Sequence, residues 1–594
     1  MGLSSAMQWW EEWQLRILVL GSLFIQYILY FSIWVRRAPI LRKLRVLVWI
    51  AYIGGDALAI YALATLFNRH KQTCDGESSA LEVMWAPVLL IHLGGQTCIS
   101  AYSLEDNELW KRHTITLVSQ VTVALYVFCK WWSGGKMQLE AAILLFVAGT
   151  LKFTQKPWAL RTASFNSLQA SSTVFLLTQT QREEHVYSLE EYVQGAKKCV
   201  LEVKVDNQHE YGTESAYMFV DLSAPYSFRI AELHFFLMLE DNRAYSDLQG
   251  SLGTTFDHMY TKVGSSQSKL SFGSILLLPF LVLASAVLFA KSHKDGHNEK
   301  DIKVTYILLA ALPCWSSYFP SWVSAPTYHV SIVSWTTFQV TGVVRQHVED
   351  GWKKYISDAA SYRRFSELRG QWALSKHQEI GWSLKMSYSE SVLIWHVATD
   401  LCFYHPNTSP QGQQGEPTLR SREISNYMIY LLLVRPEMLM PGTRSDLFTL
   451  ASDIIVENSK GSLDMTEENL AHEILNMWPF ATDMVSNALK LSIELMELGD
   501  EKERWTLIQG VWMEMLCYSA SRCRGYLHAK SLGDGGEFLS IIWLLLSVMG
   551  METLADRHQR SVPSQEEATA EQEAPASTSC SGTTDQSEDN LSLV

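Results

Sequence analysis

The feature that most constrains this chain is a series of long apolar runs. A bilayer core of about 30 Å is crossed by roughly 20 helical residues. The sequence predicts five such spans in its first quarter and two more after a polar gap. The predicted spans are Leu15–Val35, Val46–Phe67, Leu81–Tyr102, Ile115–Trp132, Leu139–Phe153, Phe272–Ala290 and Val304–Val323. We therefore predict a mainly α-helical, multipass membrane bundle of about seven spans.

Basic residues predict how this bundle is oriented. Short basic loops face the cytosol, and five basic residues crowd the connection after the first predicted span: Arg36, Arg37, Arg42, Lys43 and Arg45. The N-terminus is then outside, and the first span is an uncleaved anchor because no small-residue cleavage site follows it. The basic loop of residues 291–303 lies outside on this count and disagrees with the assignment. We expect the C-terminal half to be cytosolic.

Composition divides the chain into five regions. We predict membrane helices over 1–156 and 272–323, a cytosolic insert of mixed α/β structure over 157–271, a soluble, mostly helical domain over 324–555 and a disordered acidic tail over 556–594. Within the insert, CVLEVKV alternates like a strand, whereas FRIAELHFFLML has a helical rhythm. Apolar runs in the C-terminal half, such as EFLSIIWLLLSVM, are interpreted as buried helices. The tail has too few apolar residues to fold.

Charge and motifs limit the function classes. The formal net charge of -14 argues against a dedicated nucleic-acid binder, since such proteins need a basic surface. The nine cysteines stand singly, so neither a zinc site nor a disulfide framework is indicated. The sequence contains no HExxH, Walker loop, GxSxG or kinase motif. No cofactor is therefore predicted, and an enzyme is less favoured.

The segment HLGGQTCISAYSLEDNELWKRH, residues 92–113, joins an apolar run to a dense patch of charge. Ser103 followed by acids is typical of a helix N-cap, and a tryptophan beside basic residues is typical of a membrane interface. The water interface therefore explains the charge without any chemistry. The predicted interfacial motif comprises Glu105, Asp106, Asn107, Glu108 and Trp110.

The same segment, preceded by WIAYIGGDALAIYAL and followed by LKFTQKPWALRTAS, resembles a plant membrane family, domain of unknown function 4220. CRGYLHAKSLGDGGEFLSIIWLL resembles the companion C-terminal domain of unknown function 594. Together the resemblances cover most of the chain and imply a plant multipass membrane protein with no established activity, substrate or catalytic residue. Where that family usually has an aspartate after the glycine pair, this sequence has Gln96, Thr97 and Cys98. A function that rests on that acid does not carry over.

Two ionisable residues, Asp56 and His92, lie at similar depth in neighbouring predicted spans. Such groups are costly in a bilayer unless they are paired or face water. One interpretation is a proton relay or the polar lining of a permeation path. The other, which we favour, is a neutral hydrogen-bonded pair that fixes helix contact. Glycines allow helices to approach closely, and the predicted packing glycines are Gly54, Gly55, Gly94 and Gly95.

Two further motifs have structural rather than chemical interpretations. GGEF at residues 535–538 matches the signature of cyclases that make cyclic diguanylate, but the accompanying metal and nucleotide residues are not evident. We predict a turn that leads into the next apolar helix. His396 and Asp400 share a helix face at i and i+4, and two ligands make a poor metal site. We predict a structural pair.

These observations favour a membrane-anchored scaffold or interaction protein. The predicted partners are the lipid bilayer and cytosolic proteins, with no nucleic acid. The alternative is a transporter or channel subunit that uses Asp56 and His92. A third class, an enzyme at the membrane face, would need a cytosolic pocket of converging polar groups, which the sequence does not reveal.

Overall fold

The described parts of the chain are almost entirely α-helical. The computed structural model describes residues 3–37, 43–72, 80–181, 187–202, 216–262, 269–294, 297–316, 334–443, 467–476 and 483–558. The first seven helices are α1 (Leu3–Tyr30), α2 (Ser32–Arg37), α3 (Leu44–Gln72), α4 (Ala80–Leu93), α5 (Trp110–Trp131), α6 (Lys136–Thr162) and α7 (Phe165–Gln181). A 3-10 helix, Leu104–Leu109, leads into α5.

The remaining helices form the insert, a second apolar hairpin and the C-terminal half. The next six are α8 (Leu189–Leu201), α9 (Ala216–Phe219), α10 (Tyr226–Leu237), α11 (Asp241–Tyr260), α12 (Lys269–Lys291) and α13 (Glu299–Ser316). The C-terminal half comprises α14 (Ser334–Asp350), α15 (Ala359–Phe365), α16 (Tyr388–Phe403), α17 (Pro410–Gln413), α18 (Glu416–Val434), α19 (Pro436–Leu439), α20 (Glu467–Asn476), α21 (Asp483–Met496), α22 (Glu501–Arg522), α23 (Gly525–Gly533), α24 (Phe538–Val548) and α25 (Leu554–His558).

Among the described residues, four helical stretches are long and apolar enough to cross a membrane, by length and composition: Trp9–Tyr30, Leu44–Arg69, Leu104–Trp131 and Lys136–Thr162. They correspond to four of the seven predicted spans. The apolar stretches Leu81–Leu93 and Leu277–Lys291 are shorter. The last predicted span is helical to Ser316, and the rest of it lies outside the described residues. Within the part of the chain that the structure describes, the prediction of about seven spans is therefore corrected to four candidates.

The third predicted span is shortened by its glycine pair. The N–H of Gly95 donates to the carbonyl of His92 at 2.8 Å, and Gly95 has a φ of +65°. Glycine adopts this left-handed conformation without a side-chain clash, so it commonly ends a helix. The chain is therefore no longer helical at Ile99 and Tyr102, although the apolar sequence continues.

The short helix α4 occupies the centre of the bundle. Each residue from Leu81 to Leu93 is buried, and α4 contacts α1, α3, α5, α6 and α13. A Cβ atom on Gly149 of α6 would lie 2.9 Å from the carbonyl oxygen of Pro87. Only a glycine permits so close an approach of two helices. This packing fixes α4, and with it the segment that follows.

One hydrophobic core joins the insert to the C-terminal half. It includes large buried side chains from α8, α10, α16 and α24 and from the helical turn after α14: Tyr192, Phe236, Trp352, Trp395 and Trp543. The hydroxyl of Tyr192 also donates to the carbonyl of Gly550 at 2.7 Å. Helix α24, the run EFLSIIWLLLSVM, is buried along its whole length within this core, as predicted.

The prediction of a strand in the insert is wrong in its described part. Cys199–Leu201 form the last turn of α8, and the part of the chain that the structure describes contains no strand. Ser188 caps this helix by accepting the N–H of Glu191, and Tyr192 and Val193 share its buried face. Capping and a periodic apolar face outweigh the local alternation. Most of the predicted acidic tail, from residue 559, lies outside the described residues.

Candidate functional site at the domain junction

The segment after α4 lies where the bundle meets the C-terminal helices. It is non-helical from Gly95 to Ser103, and most of its residues are buried. Buried backbone groups outside a helix need partners elsewhere in the fold. We define the domain junction as residues 95–109 together with the residues that form hydrogen bonds with this segment or with its neighbours. These residues are Arg36, Arg45, Tyr260, Lys262 and Gly525–Phe538.

The end of α11 supplies the first partners of the segment. The N–H of Ser100 donates to the carbonyl of Tyr260 at 2.9 Å, and the N–H of Lys262 donates to the carbonyl of Thr97 at 3.0 Å. The ammonium group of Lys262 donates to the carbonyl of Gly94. Three bonds thus join the insert to the end of the central helix.

Arg36 links the same segment to the C-terminal half. Its guanidinium group donates to the carbonyls of Ala101 at 2.9 Å, Tyr102 at 2.7 Å and Gly533 at 3.4 Å. It also lies 4.9 Å from the ring centroid of Tyr260, a cation–π distance. Arg36 is only 1% exposed. A buried arginine held by carbonyls and aromatic rings fixes the relative position of three elements.

The interfacial motif contacts the C-terminal half directly. The Oε1 atom of Glu105 lies 2.7 Å from Nζ of Lys530 and accepts the hydroxyl proton of Tyr526 at 3.1 Å. The hydrogen bond from Lys530 to this carboxylate raises the pKa of Lys530. Both side chains of the ion pair are about half exposed, so the pair contributes modestly to stability.

Ser103 precedes the 3-10 helix Leu104–Leu109 as predicted, but its own side chain makes no capping bond and Asp106 closes this end instead. The Oδ2 atom of Asp106 accepts the N–H groups of Tyr102 at 2.9 Å and Ser103 at 3.0 Å. The guanidinium carbon of Arg161 lies 5.2 Å from a ring centroid of Trp110. The residues predicted to mark an interface therefore fix the start of α5 and its contact with α6.

The other two motif residues connect the junction to α11 and α7. The side-chain amide of Asn107 donates to the carbonyl of Met259 at 3.0 Å, and Asn107 is buried. Glu108 accepts the N–H of Phe165, the first residue of α7, at 2.7 Å. The motif is thus a set of structural contacts as well as a charged surface.

On the C-terminal side, GGEF forms the predicted turn. Gly535 and Gly536 have φ values of +99° and +79°, which glycine tolerates. The N–H of Gly536 donates to the carbonyl of Ser531 at 2.8 Å, closing the end of α23. Arg45 donates to the carbonyl of Asp534 in this turn. The turn therefore docks against the first turn of α3.

Burial shifts the pKa values of two titratable groups next to the turn. Burial raises the pKa of Glu537, whose carboxylate accepts the hydroxyl of Tyr430 at 2.9 Å. Burial lowers the pKa of His528 to about 3, so its ring is neutral. That ring bonds to the hydroxyl of Ser540 at 2.9 Å and stacks on Trp543 with centroids 4.3 Å apart. Both residues pack the junction against α24.

Asp56 and His92 each have a partner other than the one predicted. Nζ of Lys156 lies 2.5 Å from Oδ2 of Asp56. Nδ1 of His92 lies 2.9 Å from Oγ of Ser22, and Gln26 donates to the carbonyl of His92 at 3.2 Å. The mid-membrane Asp/His contact is thus replaced by a carboxylate–ammonium pair between α3 and α6 and a polar contact between α4 and α1.

The four predicted packing glycines separate into two groups. A Cβ atom on Gly55 would lie 3.1 Å from a side-chain atom of α1, and one on Gly94 would lie 2.9 Å from the backbone of Lys152. Cβ atoms on Gly54 and Gly95 would meet no described atom within 4 Å. Gly55 and Gly94 permit close packing, whereas Gly95 is needed for its backbone conformation.

A cavity of about 550 Å³ opens on the insert, away from the junction. We call it the lateral groove, and its lining includes Leu176, Leu177, Leu222, Tyr226, Arg229 and Arg363. Arg229 is paired with Asp556 at 3.2 Å. Arg363 is exposed and forms no ion pair with a described residue. The groove thus combines an apolar wall with one available cation.

The remaining predicted pair is structural. Nε2 of His396 lies 3.8 Å from Oδ2 of Asp400, and Nδ1 lies 2.9 Å from Oγ of Ser425. Arg422 approaches the same carboxylate at 3.3 Å. Within the described ranges, no cluster of three or more His, Cys, Asp or Glu residues could hold a metal ion.

Sequence reasoning missed the contacts of two cations of the domain junction, Arg36 and Lys262, and of Lys152, which packs against Gly94 beside it. Arg36 was used only to assign orientation. Lys152 interrupts the apolar run AAILLFVAGTLKF, and a charge inside a predicted span is itself a signal of function. Lys262 has no comparable signal, because its neighbours are polar and its contact with Gly94 is 168 residues away in the chain.

Helices with the length and composition of membrane spans, packed around a buried central helix and joined at one end to a helical region, indicate a helical membrane protein. The chain belongs to the family described as Domain of unknown function (DUF4220), whose model matches residues 49–379. Residues 497–551 match the model described as Protein of unknown function, DUF594. Both resemblances seen in the sequence are thereby confirmed. No curated protein and no solved structure matches the chain.

The two matched regions meet at the domain junction. Glu105, Asn107, Tyr260 and Lys262 belong to the first region, and α23 belongs to the second. The hydroxyl of Tyr260 donates to the carbonyl of Ala529 in α23 at 3.0 Å. The ion pair of Glu105 and Lys530 likewise joins the segments that carried the two family resemblances.

Proposed function

We propose that this protein is a membrane-anchored interaction protein. Its C-terminal half, α14 to α25, would form a helical platform at the cytosolic face. The observation that carries the proposal is the domain junction, in which Arg36 and Tyr260 attach α23 to the bundle. A platform attached through buried polar contacts and a shared core presents its surface in one orientation. Such preorganisation lowers the entropy cost of binding a partner.

The orientation in this proposal rests on the basic residues at the junction end of the bundle. Arg36, Arg45 and Arg161 lie at the same end as the platform, and positive charge favours the cytosolic side. The sequon at Asn407 provides a test, because Asn407 is exposed on the platform. We expect it to remain unglycosylated in a eukaryotic host, and an attached glycan would contradict this orientation.

The lateral groove is the surface that we propose for the partner. Leu177 is 56% exposed on one wall, and Arg363 offers a guanidinium group at the rim. An apolar wall beside an available arginine suits a peptide with apolar side chains and a carboxylate. The proposed partner is therefore a cytosolic protein segment of that composition.

Site-specific photo-crosslinking tests this proposal. A photoreactive residue at Leu177 should capture a partner in intact cells, whereas one at Leu201, which is 58% exposed on α8 and does not line the groove, should not. Arg363→Glu should remove the product formed at position 177. Equal products at both positions, or a product unaffected by Arg363→Glu, would argue against the groove.

A transporter or channel subunit is the second candidate. The supporting observation is that α4 stops inside the bundle and is followed by buried non-helical backbone. Interrupted helices of this kind surround substrate and ion sites in transporters. Asp56 would then act with Lys156 rather than with His92. Flux in proteoliposomes that depends on pH in the wild type and changes in Asp56→Asn would support transport, and equal flux would exclude this role.

A further inference from the structure

The last described helix ends beside the lateral groove. Asp556 of α25 lines the groove, and its carboxylate lies 3.2 Å from the guanidinium group of Arg229. The hydroxyl of Ser223 also donates to this carboxylate. These contacts fix the point at which the chain passes beyond the described residues, because α25 ends at His558. Residues 559–594 therefore begin next to the groove.

The groove offers one cation to a ligand. The two carboxylates in its lining already have partners, since the one on α25 pairs with Arg229 and Glu552 lies 3.3 Å from Arg557. Arg363 is exposed and forms no ion pair in the part of the chain that is described. Exposed apolar surface lines the same groove on α7, where Leu177 is 56% exposed. A ligand that combines an acid with apolar side chains would satisfy both features.

The sequence beyond α25 contains a segment of this composition. Residues 561–594 include seven Asp and Glu residues and no Lys or Arg. Apart from Val562, their Val, Leu, Ile, Met and aromatic residues all lie in the run EDNLSLV, residues 588–594, which we call the EDNLSLV segment. Two acids are thus followed at once by apolar side chains. The charge and the apolar character of the segment complement those of the groove.

The connection is long enough for the EDNLSLV segment to reach the groove of its own chain. Residues 559–587 separate it from α25, and a chain of this length can span up to about 100 Å. Because the connection starts beside the groove, the distance to be covered is much shorter than this limit. A tether of this kind gives the segment an effective concentration on the order of 1 mM at the groove.

We propose that the EDNLSLV segment occupies the lateral groove of its own chain, with an acidic side chain on Arg363 and its leucines against Leu177. The inference rests on the proposed function, because the segment competes with the cytosolic partner for the same surface. A tethered segment with an intrinsic Kd of about 0.1 mM lowers the apparent affinity of the partner about tenfold. The tail therefore sets the threshold at which a partner binds.

Photo-crosslinking of the purified full chain tests this inference, because no partner is then present. A photoreactive residue at Leu177 should give an intrachain product with residues 588–594 by mass spectrometry, and one at Leu201, outside the groove, should not. The yield should be the same in dilute and concentrated protein, since a tethered segment binds independently of chain concentration. A product that joins two chains would contradict the inference.

Charge reversal tests whether Arg363 makes the contact. Arg363→Glu should remove the intrachain product at position 177, and Glu588→Arg with Asp589→Arg in the same chain should restore it. Such a restoration also shows that the Arg363→Glu chain is folded. Arg364→Glu is the matched control, because Arg364 is exposed and does not line the groove. A product that survives Arg363→Glu, or that the reversed acids do not restore, would overturn the inference.

Partner capture in cells separates this inference from the proposed function. Leu591→Ser with Leu593→Ser should raise the partner product at position 177 by up to about tenfold, and an unchanged yield would argue against competition. If the purified chain gives no intrachain product while position 177 still captures a partner that depends on Arg363, the inference fails and the proposed function stands. If position 177 captures neither the segment nor a partner, both fail.

Discussion

Replacing Arg36 with methionine should detach the C-terminal half from the bundle while leaving the helices intact. Methionine keeps most of the apolar stem of the side chain but removes the donors to Ala101, Tyr102 and Gly533. A hydrogen bond to a charged group contributes about 1.5–3 kcal/mol. Because the third contact is long at 3.4 Å, we expect a total loss of about 4 kcal/mol.

Hydrogen exchange measured by mass spectrometry is the appropriate assay, because it reports local opening. A loss of about 4 kcal/mol accelerates exchange roughly a thousandfold. We expect this acceleration in peptides that cover residues 525–538, at the junction, and not in α5. Arg112→Met is the matched control, since Arg112 is an exposed arginine near the same end of the bundle.

The reasoning would be refuted if Arg36→Met and Arg112→Met gave the same exchange over residues 525–538. It would equally be refuted if exchange in Arg36→Met increased uniformly over the whole chain. In that case the arginine would stabilise the fold in general and not the junction.

Three further predictions concern packing, pH and the surface ion pair. In urea unfolding, Gly94→Ala should destabilise the chain by about 1–3 kcal/mol, because the new Cβ atom would lie 2.9 Å from Lys152. The control Gly54→Ala should be neutral or stabilising, because its Cβ atom would meet no described atom within 4 Å. Burial raises the pKa of Glu514 from 4.5 to about 7. Between these values the folded state retains a proton that the unfolded state releases, so the free energy of unfolding should decrease as pH rises from 4.5 to 7. Glu514→Gln should flatten this pH dependence in thermal melts. Lys530→Gln should lower the free energy of unfolding by only about 0.5 kcal/mol, because its ion pair is half exposed. A much larger loss of stability in the same melts would contradict this prediction.

The helices of the bundle were predictable from the sequence where the length of an apolar run is enough to identify a span. Leu15–Val35 and Val46–Phe67 are long apolar runs, and each lies largely within a helix of membrane-crossing length. The third run was not predictable in this way, because hydropathy continues through Ile99 and Tyr102 while the backbone turns at Gly95. Hydropathy measures how favourably a side chain transfers to an apolar environment, and a buried turn and a buried helix provide the same environment. Only the positive φ distinguishes them.

The site was predictable in its residue types but not in its contacts. The sequence singled out Asp56 and His92, but their partners, Lys156 and Ser22, depend on how α1, α3, α4 and α6 pack. Arg36 bonds to Gly533 across 497 residues. Local patterns report periodicity and capping within one element, whereas the register between distant elements is set by packing. The interfacial motif illustrates both, since its N-cap was predicted and its contact with Lys530 was not.

The most direct test of the account is a crosslink between the two family-matched regions in intact membranes. Glu105→Cys and Lys530→Cys would be combined in a chain that lacks the other cysteines, and a short bismaleimide would be added. Lys136→Cys with Lys530→Cys is the control, because Lys136 begins α6 at the opposite end of the bundle. The account predicts a 105–530 crosslinked peptide by mass spectrometry and none in the control. Absence of that peptide, with both cysteines accessible to a monofunctional maleimide, would contradict the domain junction.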